Sequence, residues 1–364
     1  MSHMHLNDTH KQTQAAAGKD LPAISVVIIG INVEQYIGDC ISSVLHADYP
    51  QENLEIIYVD GGSNDRSIEI AKKFRSIRTI ELMDPHPTPG KGRNAGIAQA
   101  SHAIVQFLDA DTVLHPGWLR TALPYLDGAV AAVAGRIQEK YPGKNIYHTI
   151  GNMEWGISAG KQGHLFTEGP SRTFGGIVLA RKDAILSAGG YDESLVAGED
   201  PDLSYRVRRQ GQTIYRITAD MVVHDLNMNS FRHYCRRAYR SGHAYAEIGL
   251  RYRKEKEKFF LRQLLRICLG ATVPFALICS GVLLKRSCFA VLIAAALACR
   301  PFRKINDFAA PPLGIRVAFL YCAHLSFVVY PQFFGVLRYL ATCITGRALQ
   351  NKGFVPFAKK DKKA

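Results

Sequence analysis

The sequence contains no C-x-x-C pair, and six of its eight cysteines (268, 279, 288, 299, 322 and 343) fall in an apolar final third. That argues against both a zinc ribbon and a disulfide framework, and these cysteines read as small apolar residues. Neither G-x-G-x-x-G nor the P-loop pattern occurs, so dinucleotide and P-loop chemistry are unsupported. No internal repeat is visible. The first twenty residues, MSHMHLNDTHKQTQAAAGKD, are polar and lack the apolar core of a signal peptide. The expectation is therefore an N-terminal portion on the cytoplasmic side.

What is present divides the chain. Its 364 residues, 47% hydrophobic, suffice for one large or two ordinary domains. Up to about Phe260 apolar residues alternate with charge. From Ile267 onward come ICLGATVPFALICSGVLL, SCFAVLIAAALAC and VAFLYCAHLSFVVYPQFFGVL. A bilayer core needs roughly 20 apolar residues per helix. The first and third stretches approach that; the second, between Arg286 and Arg300, is short enough for a tilted span, a half-span or a buried helix. Three spans would put the basic end FAKKDKKA outside, so an even number of crossings, or a re-entrant third segment broken at Pro331, is expected.

The net charge is +14, and it is concentrated. Between Arg232 and Arg262 there are ten Arg or Lys against three Glu, immediately before the first apolar stretch. Basic clusters beside a membrane segment bind anionic headgroups, which favours membrane lipids over nucleic acid as the partner. Tyr234, Tyr239, Tyr245, Tyr252, Phe259 and Phe260 fit a segment lying in that interface.

From Leu21 short apolar runs (ISVVIIGI, LEIIYV, AIVQFL, AVAAVAG) alternate with helix-like segments. Continuous apolar runs of this kind form a mostly parallel sheet covered on both faces, a Rossmann-like α/β domain. Ligands bind such sheets at the carboxyl ends of strands. The expected division is a polar tail (1–20), the α/β domain (21–225), a basic amphipathic interface segment (226–262), transmembrane helices (263–346) and a basic tail (347–364). Residues 137–172 read as loops or short helices over one face.

Four patches carry candidate chemistry. In YVDGGSNDRS, Asp60 follows a strand and Asn64 or Asp65 can cap the next helix. In PTPGKGRNAGIAQA, Lys91 and Arg93 stand at a helix N-terminus, suited to a diphosphate or simply solvated. VQFLDADTV ends in Asp109 and Asp111, two like charges side by side if the strand continues. A metal ion, an arginine or water must separate them. A hard divalent ion held by carboxylates and substrate phosphate is the usual Mg2+ or Mn2+ arrangement. In AGEDPDLSYRVRRQG, Asp200 precedes Pro201 in the order N-cap then N1, and Gly211 stops the helix. Capping alone would account for Asp200; a carboxylate fixed at a helix start is equally a well-placed general base.

Taken in order over residues 24–245, Asn32 after the first strand, V-D-G-G-S-N-D, G-x-x-R-N-x-G-I, D-A-D, G-G-Y-D-E-S, G-E-D and R-R-A-Y-R-S-G resemble the family 2 glycosyltransferases with their GT-A fold. The resemblance implies an inverting transferase in which Asp200 is the catalytic base. Asp60 would hold the nucleotide base, Asp109 would contact ribose, and Asp111 with His224 would bind Mn2+ or Mg2+. Asn32, Glu34, Lys91 and Arg93 would line the nucleotide-sugar site, and Glu199, Arg236, Arg237 and Arg240 the diphosphate and acceptor. The first strand ends I-G-I-N-V in place of P-T-Y-N-E, so Ile31 and Val33 stand where residues framing the base are found. The Q-x-x-R-W of processive synthases is absent. The implied reaction moves one sugar, most simply from UDP, to a lipid-linked saccharide at the cytoplasmic membrane face, in polysaccharide or glycolipid synthesis. A processive polysaccharide synthase and a non-catalytic membrane scaffold are the competing readings.

Overall fold

The computed structural model describes residues 21–155, 168–283, 291 and 314–345. Apart from Val291, the second apolar stretch lies outside the described residues, as do both tails.

The first half is the parallel sheet that the apolar runs require. Strands β1 (Ile24–Gly30), β2 (Leu54–Asp60), β3 (Ile77–Glu81) and β4 (Ile104–Asp109) run parallel in the order β3-β2-β1-β4. Helices α1 (Ile37–Leu45), α2 (Ser67–Ala71) and α3 (Pro89–Gln99) connect them. Alternation along β1 splits the core. Ile24, Val26 and Ile28 pack with Ile37, Ile41 and Val44 of α1, whereas Val27 packs with Ile97 of α3 on the opposite face. Both faces are thus apolar, which is why the run is continuous in sequence.

The second half is mixed rather than parallel. After β5 (Thr112–Leu114), α4 (Trp118–Ala122), β6 (Val130–Glu139), α5 (Ile146–Trp155) and β7 (Gly169–Ser171), strand β8 (Val178–Arg181) enters antiparallel to both β4 and β6. Helices α6 (Lys182–Ser187) and α7 (Glu199–Arg209) follow. Then β9 (Thr213–His224) runs parallel to β6 and antiparallel to β5 and β7. The short β5–β9 pairing sets Thr112 opposite His224, bringing the end of β9 beside the D-A-D turn.

Helix α8 (Phe231–Arg251) leads to α9 (Leu261–Leu283), α10 (Gly314–Phe327) and α11 (Val329–Thr345). By length and composition, α9 and the 32-residue stretch Gly314–Thr345 are each apolar and long enough to cross a membrane. Leu265, Leu269, Phe275 and Val282 of α9 are exposed. The long stretch breaks at Val328, since Pro331 has no N–H for the carbonyl four residues back and its ring clashes there. The basic segment begins as helix α8, one side of which packs on the rest of the molecule while Phe231, Arg232, Arg236 and Arg237 are exposed. Tyr234, Tyr252 and Phe259 are buried, and Phe259 stacks on Tyr205 of α7 at 5.1 Å.

Candidate active site

The strand register assembles the site. At the carboxyl end of β1, Gly30 pairs with Asp60 on one side and Ile29 with Asp109 on the other. The strand ends at Asp109, and Asp111 lies in the turn before β5, so the two acids are not related by strand alternation as the sequence suggested. Each has its own partner. Asp109 accepts from Arg93 Nη2 at 2.8 Å, and Asp111 Oδ2 faces His224 Nε2 at 3.3 Å. Asp111 Oδ1 is buried with no hydrogen-bond partner among the described residues.

Arg93 is the centre of the cluster. From the first turns of α3 its guanidinium, 3% exposed, reaches Asp109, Glu199 Oε1 at 3.1 Å and Asp200 Oδ1 at 3.4 Å. A Cβ on Gly176 would stand 2.0 Å from its Nη2, so only glycine admits it there. Tyr191 lies under the guanidinium at 5.4 Å, its hydroxyl buried without a partner among the described residues. Arg93, expected to face the sugar or diphosphate, is instead buried as the counter-ion of three acids. Enclosure among these acids holds its charge firmly, against the cost of burial.

Asp200 is not the N-cap that the Asp-Pro order suggested. Gly198, with φ 90°, occupies that place, and α7 starts at Glu199. Capping therefore leaves Asp200 unexplained. Its Oδ1 is buried and accepts no hydrogen bond among the described residues. Burial pushes its carboxyl up to about 8 against the opposing pull of Arg93, and neighbouring Glu199 adds to the rise. Burial also raises Asp109, though its side chain stays 37% exposed and within reach of water. Burial acts likewise on Asp111, but the His224 imidazole beside it holds it below the usual carboxylate range. Reciprocally, Asp111 raises His224 despite that ring's burial.

Other expected residues serve the loops. Asp60 is fully buried and accepts from Tyr58 and Ser63 hydroxyls and from the Gly62 and Ser63 amides, so in this conformation it shapes the turn rather than facing the cleft. Asn32 has φ 53° and joins that turn through Ser63 and Asn64. Glu34 accepts from Arg66. Lys91 pairs with Asp84 at 2.5 Å, outside the acid cluster, because Thr88 and Pro89 start α3 facing the β3 loop. On α8, Arg237 stands within the field of Asp111, while Arg240 contacts the Val196 carbonyl at 3.4 Å. Arg236 is on the same helix.

Sequence reasoning missed Asp202, fully buried and bound by Arg206, Arg251 and Tyr252 at 2.8, 3.1 and 2.7 Å. It missed the buried Glu139–His148 pair at 2.7 Å as well. With Asp225, these two place ligand-type atoms within 4.8 Å of one another. Glu139 is already engaged by the Tyr141 and Leu226 amides, which makes it a tie between β6 and the end of β9. Tyr191 alone had a signal, in G-G-Y-D-E-S.

Asp111 and His224, with one buried oxygen of Asp111 unclaimed among the described residues, are donor types suited to a divalent cation, whereas Asp109 is engaged by Arg93.

A sequence model of glycosyl transferase family 2 matches residues 25–186. Glycosyltransferase AglE of Haloferax volcanii is 29% identical over 202 residues, 53% of this chain and 64% of that protein. The pre-mycofactocin glycosyltransferase of Mycobacterium tuberculosis is 28% identical over 204 residues, 55% and 43%. Poly-beta-1,6-N-acetyl-D-glucosamine synthase of Staphylococcus aureus is 28% identical over 207 residues, 54% and 48%. The matched stretch spans less than two thirds of each relative. Among solved structures, mannosyltransferase PcManGT from Pyrobaculum calidifontis, in complex with GDP-Man and Mn2+, has TM-score 0.57 and 16% identity, covering 92% of this chain and 94% of that one. S. aureus TarS 1-349 in complex with UDP has TM-score 0.52 and 18% identity, covering 89% and 92%. At these identities the likeness is one of fold. Residues 25–186 thus match the glycosyl transferase family 2 model, and the chain shares the mixed α/β fold of PcManGT and TarS.

Proposed function

We propose that this chain is an inverting glycosyltransferase that moves one sugar from a UDP-sugar to a hydroxyl of a lipid-linked saccharide at a membrane surface. The observation that carries it is the placing of Asp200, whose buried Oδ1 is ion-paired to Arg93 but accepts no hydrogen bond among the described residues, in the same arginine-centred cluster as Asp109 of D-A-D. Its raised carboxyl takes up a proton readily near neutral pH. In the reaction the acceptor oxygen forms a bond to the anomeric carbon as its proton passes to Asp200. The bond from that carbon to the diphosphate oxygen breaks from the opposite side, the electron pair leaves with the nucleoside diphosphate, and configuration inverts.

Arg93 fixes Asp200 and Asp109 relative to each other, so the base and the ribose contact move as one unit. Arg237, in the field of Asp111, meets charge developing on the leaving diphosphate. Asp111 and His224 would hold a divalent cation, which when bound supplies Lewis acidity to the diphosphate. UDP and GDP-Man in the solved neighbours support a nucleotide-diphosphate donor. The apolar exposed face of α9 and the basic helix α8 support a membrane setting with the domain on the cytoplasmic side.

The test is incubation of membranes carrying the chain with radiolabelled UDP- and GDP-sugars, followed by lipid extraction and sizing. Label in a single new glycolipid, lost in Asp200→Asn, supports the reading. A ladder of long products would support polymer synthesis instead, and no transfer from any donor would refute it.

A further inference from the structure

A cavity of about 140 Å³ lies between α5, one face of α8 and the junction of α10 with α11. Two tyrosines form part of the wall, the rings of Tyr147 and Tyr234 having centroids 5.6 Å apart. A polar chain crosses it. The Tyr234 hydroxyl meets His324 Nδ1 at 2.8 Å, and His324 Nε2 meets Glu154 Oε1 at 3.0 Å, linking α8, α10 and α5. Glu154 keeps 39% of its side chain exposed, whereas His324 keeps 5%. Gln332, 7% exposed, also lines the cavity, and its Oε1 has no hydrogen-bond partner among the described residues.

This lining points to one ligand chemistry. A carboxylate and an unclaimed amide oxygen accept from hydroxyl groups and Arg237 donates to them, while the polar content is wrong for a lipid tail. Aromatic faces beside such acceptors suit a pyranose, which presents C–H groups to a ring and hydroxyls at its edge. Arg237 lines the same cavity and stands in the field of both Glu154 and Asp111, so the cavity adjoins the D-A-D end of the cleft.

Resting on the transferase reading above, we infer that this cavity is the acceptor subsite, taking a neutral pyranose unit between the catalytic domain and the C-terminal helices. The apolar helices then form one side of the active site as well as a membrane anchor, and Glu154, Gln332 and Tyr147 select the acceptor sugar.

The test uses the full chain purified in a detergent without a sugar headgroup. Methyl glycosides of glucose, galactose, mannose and N-acetylglucosamine serve as probes, and binding is read by saturation-transfer NMR. Nucleoside diphosphate binding is measured on the same samples. At least one glycoside should bind the wild type, and its Kd should rise at least about tenfold in Glu154→Gln and in Gln332→Met, for loss of a charged acceptor in the first and of the amide in the second. Nucleotide Kd should stay within about twofold, which a misfolded variant would not allow. Binding of no glycoside by the wild type, or equal binding by the variants, would overturn the subsite while leaving the transferase reading standing on its nucleotide site. Joint loss of glycoside and nucleotide binding would overturn it too, by assigning these residues to the fold.

Discussion

Replacing Arg93 by Met tests the cluster most severely. The guanidinium is 3% exposed and contacts Asp109, Glu199 and Asp200 at 2.8, 3.1 and 3.4 Å. Of these, Asp109 is the most solvated, and its loss of a partner counts least. Glu199 and Asp200, 9% and 19% exposed, would be left as adjacent buried carboxylates with the same sign. Removing one side of a buried ion pair typically costs about 3–5 kcal/mol. For a domain of this size each kcal/mol moves Tm by about 2–4 °C, so a fall of roughly 6–20 °C is expected at pH 8. The sign with pH follows from the acids. Without Arg93 their carboxyl pKa values rise further, so acidification neutralises them and the deficit narrows toward pH 5. Arg93→Lys should fall between, keeping charge but losing the fork that spans two carboxylates. Thermal unfolding of the detergent-purified protein at several pH values measures all three. A Met variant within 2 °C of wild type at pH 8, or a deficit that widens on acidification, would refute the reasoning.

Further outcomes are expected. For Asp200, a folded-state carboxyl at about 8 against an ordinary value near 4 means stability is favoured below about pH 4 and lost as pH rises toward about 8. The Tm of Asp200→Asn relative to wild type should therefore climb across that window and be level outside it. Transfer by the wild type should rise about tenfold per pH unit below about 8 in kcat/KM, and Asp200→Asn should lower kcat by about 10²–10⁴-fold. His224→Ala should weaken Mn2+ binding at least about tenfold by calorimetry. In α8 and α11, a Cβ on Gly242 or Gly335 would come within 1.9 or 2.0 Å of the opposing backbone. Gly335→Leu should therefore force the helices apart and expose the intervening protein to limited proteolysis. Tyr252→Phe removes one hydrogen bond from buried Asp202 and should cost about 1–2 kcal/mol in denaturant unfolding.

The parallel half of the sheet was legible because β1, β2 and β4 are buried on both faces and so read as unbroken apolar runs. The mixed half was not. Its β6–β9 pairing, Val130 opposite Thr213, joins distant segments through register shifts that no local pattern records. The acids of the site were legible as an ordered series of motifs, but their partners were not. His224 meets Asp111 only because β5 pairs antiparallel with β9, and Arg93 reaches Glu199 and Asp200 only because α7 starts two residues earlier than the Asp-Pro signal implied. Glu154, His324 and Gln332 are single polar residues in otherwise apolar or unpatterned stretches, and only packing brings them together.

The central claim is a metal-assisted nucleotide-sugar site at D-A-D. Its most direct test is calorimetry of UDP, GDP and dTDP on the full chain, with and without Mn2+, beside Asp111→Asn. The account predicts selective binding of UDP that requires Mn2+ and is lost in the variant. Binding of none of the three, or binding indifferent to both metal and Asp111, would contradict it.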